Sequence, residues 1–429
     1  MSYAEFITRK SIRWDGRGFP VAALPENLFP WQAAVTRWAA RKGKAAVFAD
    51  CGLGKTPIQL SWAQATGQRA IILAPLCVAE QTVAEAAKFG VTAHYAADDS
   101  DVRDGINVTN YERLRKFDVA RFGAVVLDES SILKAFDGKT RTNLIRSFAD
   151  TPYRLCCTAT PAPNDIAELA NHAEFLGLMR TPEFLATWFV HDDAGWRMKR
   201  HAVAPFFRWM ASWSCALRTP ADIGYADDGY ILPPLDIREV SVSCDVAPPG
   251  MLFAGMSDRG VKGRLEARRA SLDDRLMATA RLVDEHPGQW ILWCGLNDES
   301  SRLAATIPGA IEVRGQDSHE DKIAAVRAFT EGRARVLVTK PRILGFGMNF
   351  QNCSQMAFVG IGDSYEQYYQ CIRRCWRFGQ ARPVSAWIVT SEAELAVVEN
   401  VKRKERDAAL ISEKLIENMR DFEREELCA

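Results

Sequence analysis

Short apolar segments alternate with amphipathic stretches along most of this chain. In the first half, five segments of three to five residues are apolar or β-branched, and most of them run into a loop of polar or small residues. This alternation predicts parallel strands covered by helices, because a parallel sheet buries both of its faces. The predicted strands of the first half are residues 45–48, 70–73, 106–108, 124–127 and 154–158.

The same alternation returns after a proline-rich break near the middle of the chain. Leu232-Pro233-Pro234-Leu235 and Ala247-Pro248-Pro249-Gly250 form this break, and we place the domain boundary within it. We therefore expect one domain at residues 1–240 and a second at 241–429, which ends in a charged helical tail. The predicted strands of the second half are residues 290–294, 310–313, 336–339, 356–359 and 385–389.

Residues from about 165 to 215 differ from the rest of the first half. Their pattern is mostly helical and rich in aromatic residues, which predicts a helical insertion at the end of the first domain. Such aromatic residues either pack an insertion together or stack on nucleic-acid bases, and we favour packing. The aromatic residues are Phe184, Trp188, Phe189, Trp196, Phe206, Phe207, Trp209 and Trp213.

Composition is typical of a globular protein of more than one domain. The chain has 429 residues, of which 48% are hydrophobic and 25% charged. Its 54 basic and 54 acidic residues cancel, so any contact with nucleic acid must come from a local basic groove.

The chain lacks both an eighteen-residue apolar stretch and a signal-peptide pattern, so we expect a cytoplasmic protein without a membrane partner. The eleven cysteines form no C-x-x-C pair, which favours reduced thiols over disulfides or a zinc site.

One segment has the pattern of a phosphate-binding loop. Ala49-Asp50-Cys51-Gly52-Leu53-Gly54-Lys55-Thr56, the phosphate loop, follows a predicted strand and precedes a predicted helix. Glycines let such a loop curl until its amides point at phosphate oxygens; its lysine neutralises the β- and γ-phosphates, and its hydroxyl ligates Mg²⁺. The strict pattern has glycine at the position of Ala49. The residues predicted to bind nucleotide here are Gly52, Leu53, Gly54, Lys55 and Thr56.

A pair of carboxylates follows another predicted strand. Residues 124–127 run into Asp128-Glu129-Ser130-Ser131, which we call the Asp-Glu box. A carboxylate at the end of a neighbouring strand would give Mg²⁺ its second protein ligand, and Asp128 fills that position. Glu129 beside it can polarise the attacking water. Strands that end in Asp-Glu are common, and this one gains its meaning from the phosphate loop about seventy residues earlier.

Polar side chains in the second half recur with the period of a helix. Gln370, Arg374 and Arg377 are separated by four and three residues, so they would share one helix face. Arginines on such a face are usually solvated. If instead they face a bound triphosphate, they stabilise charge in phosphoryl transfer as an arginine finger does, and they couple hydrolysis to closure of two lobes.

Together these segments resemble the motifs of superfamily 2 helicases, and among them the Swi/Snf-type translocases on double-stranded DNA, including short phage and bacterial forms. The resemblance extends from about residue 25 to 390, with the motifs in the family's order. The phosphate loop is similar to the form A-x-x-G-x-G-K-T, and residues 370–380 are similar to Q-x-x-x-R-x-x-R-x-G-Q. The chain departs from the family at Ser130-Ser131, where Ala-His is usual, and at Arg373, where an acidic residue is usual.

Other segments resemble the family's nucleic-acid contacts. Leu73-Ala74-Pro75 and residues 108–112 resemble segments that contact one DNA strand, and residues 345–349 resemble a second-lobe segment for DNA and nucleotide. Residues 158–164 are similar to the coupling loop T-G-T-P-x-x-N, with Ala159 in place of glycine. The residues that the resemblance assigns to nucleic acid or to coupling are Pro75, Asn110, Lys134, Thr158, Thr160 and Asn349.

The resemblance also implies a fold and an active site. The fold is two RecA-like parallel-sheet lobes in tandem, with ATP and Mg²⁺ bound in the cleft between them. Gln32 resembles the glutamine that reads adenine, Gly347 resembles a nucleotide contact of the second lobe, and Thr56 and Asp128 would ligate Mg²⁺. The implied catalytic residues are Lys55, Asp128, Glu129, Gln370, Arg374 and Arg377.

The implied function is an ATP-dependent nucleic-acid motor, specifically a DNA-stimulated ATPase that translocates on duplex rather than single-stranded DNA. A strand-separating DNA or RNA helicase is an alternative, because these motifs separate the subclasses poorly and no wedge or pin is identified in the sequence. A second alternative is an ATP-gated clamp without productive turnover, which degenerate catalytic residues would favour. We expect a monomer that a protein partner directs to its target.

Overall fold

The structure of the protein is a computed structural model that describes residues 13–76, 78–192, 195–243, 268–345 and 347–422. It has two compact units. The first comprises the described residues up to Asp228 and those from Arg406 onward, and the second comprises the described residues between Gly229 and Glu405. The N-terminal segment, the prolines at 248 and 249, and Phe346 lie outside the described residues.

A parallel sheet of seven strands forms the centre of the first unit, in the order β3-β4-β2-β5-β6-β1-β9. Every pairing in it is parallel, so the carboxyl ends of the strands lie along one edge. All five strands predicted in the first half are confirmed. The strands of this unit are β1 (Lys44–Ala49), β2 (Ala70–Ala74), β3 (Ala93–Tyr95), β4 (Ile106–Asn110), β5 (Ala124–Asp128), β6 (Tyr153–Cys157), β7 (Phe189–Asp192), β8 (Gly195–Met198) and β9 (Ser214–Leu217).

Helices cover this sheet, and the predicted insertion contributes three of them. Of the eight aromatic side chains named above, seven are buried, and only Trp196 among them is exposed, by 37%. The insertion also contains β7 and β8, a two-stranded antiparallel ribbon that the helical prediction missed. The helices are α1 (Pro30–Lys42), α2 (Lys55–Ala65), α3 (Ala79–Lys88), α4 (Lys139–Ser147), α5 (Leu169–Leu176), α6 (Thr181–Trp188) and α7 (Val203–Ala211).

The second unit is built on a six-stranded parallel sheet in the order β10-β15-β14-β11-β13-β12. All five strands predicted in the second half are confirmed, and β10 is added at one edge. Its strands are β10 (Leu235–Val242), β11 (Trp290–Cys294), β12 (Ala310–Glu312), β13 (Val336–Thr339), β14 (Gln355–Val359) and β15 (Val384–Ser391). Its helices are α8 (Leu272–Glu285), α9 (Asn297–Thr306), α10 (His319–Thr330), α11 (Pro341–Leu344) and α12 (Tyr365–Cys375).

The last helix, α13 (Leu395–Phe422), begins in the second unit, and its residues from Arg406 onward belong to the first. Leu415 and Ile416 pack into the hydrophobic core of the first unit. Arg420 adds an ion pair there, with its Nη2 2.9 Å from Oδ1 of Asp222. The predicted boundaries place this whole tail in the second domain instead.

Two parallel α/β sheets in tandem, with an insertion that is largely helical, confirm the predicted fold class of two RecA-like lobes. The eight cysteines within the described ranges carry free thiols, and all are buried. In the same ranges no helix is both long enough and apolar enough to cross a membrane.

Candidate functional site

The phosphate loop joins β1 to α2 at the carboxyl edge of the first sheet. Gly52 and Gly54 have φ of 90° and 68°, a region that side chains with a Cβ rarely adopt. A Cβ on Gly54 would also lie 2.4 Å from Nε2 of Gln32. Because Gly54 is the N-cap of α2, no capping side chain occupies the amides of the first turn. The start of α2 therefore has the geometry of an anion site.

Gln32 braces this loop from α1. Its Oε1 accepts a hydrogen bond from the amide of Phe29 at 3.1 Å, and its Nε2 donates to the carbonyl of Leu53 at 3.3 Å. The side chain is only 3% exposed. The oxygen and the nitrogen of the Gln32 side chain are thus both hydrogen-bonded within the protein, and they fix the curvature of the loop. A role for Gln32 in reading adenine stays a prediction.

Lys55 lies among acidic groups at the start of α2. Its ammonium donates to the carbonyl of Ala49 at 3.0 Å. Burial alone would lower the pKa of Lys55, but Cys51, Glu129 and Asp128 outweigh burial and raise this pKa above its ordinary value. The lysine therefore stays charged, as phosphate binding requires.

Asp128 is held beside α2 by Gln59, a residue that no sequence motif marks. Gln59 donates from Nε2 to Oδ1 of Asp128 at 2.6 Å. Burial raises the pKa of Asp128, and the Gln59 hydrogen bond and the charge of Lys55 oppose that shift in part. Thr56 is three residues before Gln59, so both lie on the same face of α2. This face of α2 therefore holds Thr56 and contacts Asp128, the two residues predicted to ligate the metal.

Glu129 has an unusual backbone conformation. At φ 51° and ψ 56° it is the only non-glycine residue with positive φ among those described. Its Oε2 accepts a hydrogen bond from Oγ1 of Thr158 at 3.3 Å, and that hydroxyl accepts one from the amide of Thr160 at 3.1 Å. The predicted coupling loop therefore touches the predicted catalytic carboxylate.

Two further residues support the Asp-Glu box and were also missed from sequence. The hydroxyl of Tyr111 donates to the carbonyl of Asp128 at 2.6 Å. Nε2 of His172 lies 3.1 Å from Oγ of Ser130. Tyr111 falls within a segment that resembled a family motif, whereas His172 has no local signal, because it lies 42 residues from its partner.

The residues assigned to nucleic acid in the first unit follow the same sheet edge. Ala74, next to Pro75, is in register with Asn110 across β2 and β4. Asn110 is only 1% exposed, and its Oδ1 caps the following turn by accepting from the amide of Arg113 at 3.1 Å. Lys134 ends the 3₁₀ turn that begins at Ser130, within the Asp-Glu box. Their contact with nucleic acid stays a prediction.

In the second unit, Arg374 is fixed by its own neighbours. It donates from Nη2 to Oε1 of Gln370 at 2.7 Å, and from Nε to the carbonyl of the same residue at 3.0 Å. Nη1 donates to the carbonyl of Met348 at 3.1 Å. Met348 lies between Gly347, with φ of 80°, and the exposed Asn349. The structure thus brings four predicted residues of this unit together.

Arg377 does not share the helix face expected from its spacing. Helix α12 ends at Cys375, and Trp376 leaves the helical conformation at φ −88° and ψ 83°. The indole Nε1 of Trp376 donates to the carbonyl of Pro233 at 2.7 Å, which favours this exit from the helix. Periodicity could not reveal this, because the helix ends through a tertiary contact. A catalytic role for Arg377 stays a prediction.

Arg373, which departs from the family pattern, is buried and stacked. Its guanidinium carbon lies 4.8 Å from the ring centre of Trp376 and 5.8 Å from that of Tyr369. A guanidinium can stack on aromatic rings in a way that a carboxylate cannot. These rings therefore account for arginine at this position.

A cavity of about 350 Å³ opens at the carboxyl edge of the second sheet. Arg268, Lys340 and Arg342 line it, so we call it the basic cavity. Arg268 is held in place by hydrogen bonds to both oxygens of Glu299, at 2.8 and 3.1 Å, and to the carbonyl of Val359 at 2.9 Å.

A buried ion-pair cluster supports the basic cavity. Arg275 and Glu299 are 0% exposed, and Nη1 of Arg275 lies 2.8 Å from Oε1 of Glu299. The other oxygen of Glu299 accepts from the amides of Gly295 and Leu296, both at 2.8 Å. Burial alone would raise the pKa of Glu299, but Arg268 and Arg275 outweigh burial and lower it below its ordinary value. The cluster fixes the loop that follows β11.

Comparison with known families gives one match. Residues 278–379 match the helicase conserved C-terminal domain. The matched region lies within the second unit and includes Gln370, Arg374 and Arg377. It indicates a helicase-type protein of superfamily 1 or 2, a class of nucleic-acid-dependent motors driven by ATP. No curated protein matches the chain.

Proposed function

We propose that this protein hydrolyses ATP in order to translocate along duplex DNA. The match to a helicase C-terminal domain supports a nucleic-acid motor. The observation that carries the ATPase activity is the first sheet edge, where the glycine-capped start of α2, the charged Lys55 and the buried Asp128 come together.

The residues at this edge fit ATP with Mg²⁺. Amides at the start of α2 and the ammonium of Lys55 bind the β- and γ-phosphates. The hydroxyl of Thr56 and the carboxylate of Asp128 offer the oxygen ligands that Mg²⁺ prefers. When bound, Mg²⁺ neutralises charge on the phosphate oxygens. Glu129 orients the attacking water and accepts its proton.

Two features support a nucleic-acid track made mainly of phosphate contacts. Pro75 follows β2 and Asn110 ends the adjacent β4, and the basic cavity offers Arg342 and Lys340 at the edge of the second sheet. Phosphate contacts carry little sequence information and weaken with salt. We therefore expect weak sequence preference, a strong salt dependence, and a monomeric motor that a protein partner directs to its target.

Strand separation is a second candidate, favoured by the ribbon β7–β8. Val190 and Trp196 are 36% and 37% exposed on this ribbon. The ring of Trp196 packs edge-to-face with the ring of His191, with the two ring centres 4.8 Å apart. An exposed aromatic ring on a separate ribbon is suited to stack on an unpaired base.

The test is ATP turnover without nucleic acid and with duplex DNA, single-stranded DNA or RNA. We expect duplex DNA to stimulate turnover most, and Lys55→Ala to abolish turnover in every condition. Lys88→Ala, which changes an exposed lysine at the end of α3, is the matched control and should behave as wild type. If no polymer stimulates turnover, the motor proposal is wrong. If single-stranded DNA or RNA stimulates more than duplex DNA, the strand-separating candidate replaces translocation.

A further inference from the structure

The Asp-Glu box carries backbone strain at the residue that would activate water. A non-glycine residue at φ 51° is disfavoured by its own Cβ, so it persists only where neighbouring contacts impose the conformation. The side-chain hydrogen bond from Thr158 to Glu129 is long, at 3.3 Å. The carbonyl of Glu129 accepts from the amide of Ile132 at 3.2 Å, and the residues on either side of Glu129 share in holding its backbone.

Asp128, on the amino side of Glu129, is anchored twice. Its carbonyl accepts from Tyr111 and its carboxylate accepts from Gln59, both at 2.6 Å. On the carboxyl side, Ser130 is 0% exposed and its hydroxyl lies 3.1 Å from Nε2 of His172. Glu129 is thus strained between two buried and anchored neighbours.

His172 links the Asp-Glu box to the strand before the phosphate loop. It lies on α5 and is 0% exposed. Its ring packs edge-on against Phe48, with ring centres 5.4 Å apart, and Phe48 is the last residue before Ala49. Burial lowers the pKa of His172 to about 3, so the ring is neutral at physiological pH. A neutral imidazole can share a hydrogen bond with Ser130 without bringing a charge into the core.

We propose that His172 is a positioning residue for ATP hydrolysis, which holds Glu129 in its left-handed conformation through the hydrogen bond to Ser130. This inference rests on the proposed function. Loss of the hydrogen bond lets the backbone at Glu129 relax, which moves its carboxylate away from the attacking water. Nucleotide binding depends on the phosphate loop and does not change.

The experiment compares His172→Leu, Ser130→Ala, the double variant and His172→Gln, with duplex DNA at saturation. The first two should lower kcat about 10-fold, the order expected for a lost buried hydrogen bond that acts in the transition state. Kd for ATP should stay within about 2-fold of wild type. The double variant should be no slower than Ser130→Ala, because His172 acts on Glu129 only through the hydroxyl of Ser130. His172→Gln keeps a nitrogen near the position of Nε2 and should restore most of kcat.

Matched controls separate positioning from general loss of packing. Leu176→Val removes buried carbon from the same helix, and Ser214→Ala removes a buried hydroxyl from β9. Both should keep kcat. The inference is overturned if His172→Leu and Ser130→Ala keep wild-type kcat, if their effects add, or if the controls slow turnover equally. Should His172→Leu fail to fold, Ser130→Ala and His172→Gln still decide the test.

Failure of this inference can be told apart from failure of the proposed function. If wild-type protein shows no turnover that Lys55→Ala removes, the proposed function itself fails. If wild-type protein shows turnover that Lys55→Ala removes, but Ser130→Ala and His172→Leu leave kcat unchanged, only the positioning role is wrong.

Discussion

The two sheets present their carboxyl edges in chemically different ways. The edge of the first sheet is held by hydrogen bonds of three side chains that carry no charge, Gln59, Tyr111 and Ser130, and it contains one strained residue. The edge of the second sheet is held by buried charges, Arg275 against Glu299. The first edge therefore contains backbone strain, and the second contains a buried ion-pair cluster.

This difference matters for what each edge can do. A site for a triphosphate and Mg²⁺ needs its own charges available to the ligand. Uncharged side chains therefore have to hold Lys55 and Asp128 in place. Ion pairs can organise the second edge, because its cavity needs fixed positive groups such as Arg268. Perturbing the first edge should change the rate of reaction, whereas perturbing the second should change stability.

Glu129→Gln should give the largest effect, a fall in the rate of ATP turnover with no change in stability. The amide keeps the shape of the side chain but cannot accept a proton from water, so kcat should fall by about 10²–10⁴-fold. Kd for ATP and the melting temperature should hardly change. Steady-state turnover and nucleotide titration measure these quantities. Glu183→Gln, at an exposed position on α6, is the control. Turnover near the wild-type value would remove Glu129 from the mechanism.

Glu299→Gln should give the reverse result, a loss of stability at the second edge. The variant leaves the buried Arg275 with only the more distant carboxylate of Glu394, 3.7 Å from its Nε, which costs up to about 3 kcal/mol. Hydrogen exchange in β11 should accelerate, because Glu299 fixes the loop that follows this strand. Glu331→Gln breaks an exposed pair with Arg327 and should leave exchange unchanged. If hydrogen exchange in β11 of Glu299→Gln is as slow as in wild type, the ion-pair cluster does not support the second edge.

The contrast between the edges also explains which features could be predicted from sequence. The ten predicted strands come from local runs of apolar residues, and the phosphate loop comes from glycines within one short segment. Strand β10 was missed because five of its eight residues are exposed, so no apolar run marks it. His172 and Gln59 were missed because their partners are distant in sequence, and side-chain pattern does not reveal tertiary partners.

The smallest effect, and the one that compares the two edges directly, is a difference in acid sensitivity. The pKa of His172 is depressed to about 3 in the folded protein, so the unfolded chain binds the extra proton. Its contribution to stability is complete above pH 6.5, the ordinary value, and is lost as pH falls from there toward 3. The folded pKa of Glu299 is also depressed, but from an ordinary value of 4.5, so its contribution is lost only below that pH.

Between pH 6.5 and 5, the first unit should therefore lose up to about 1.4 kcal/mol per pH unit through His172, while the cluster around Glu299 contributes no change. Calorimetric melting from pH 8 to 5 measures this loss. The melting temperature of wild type should fall more steeply than that of His172→Gln, which has no group that titrates at this position. Glu299→Gln should follow the wild-type slope from a lower starting value. Equal slopes for wild type and His172→Gln would mean that His172 is not held neutral at the first edge, and that the neutral and charged edges do not differ as their contacts indicate.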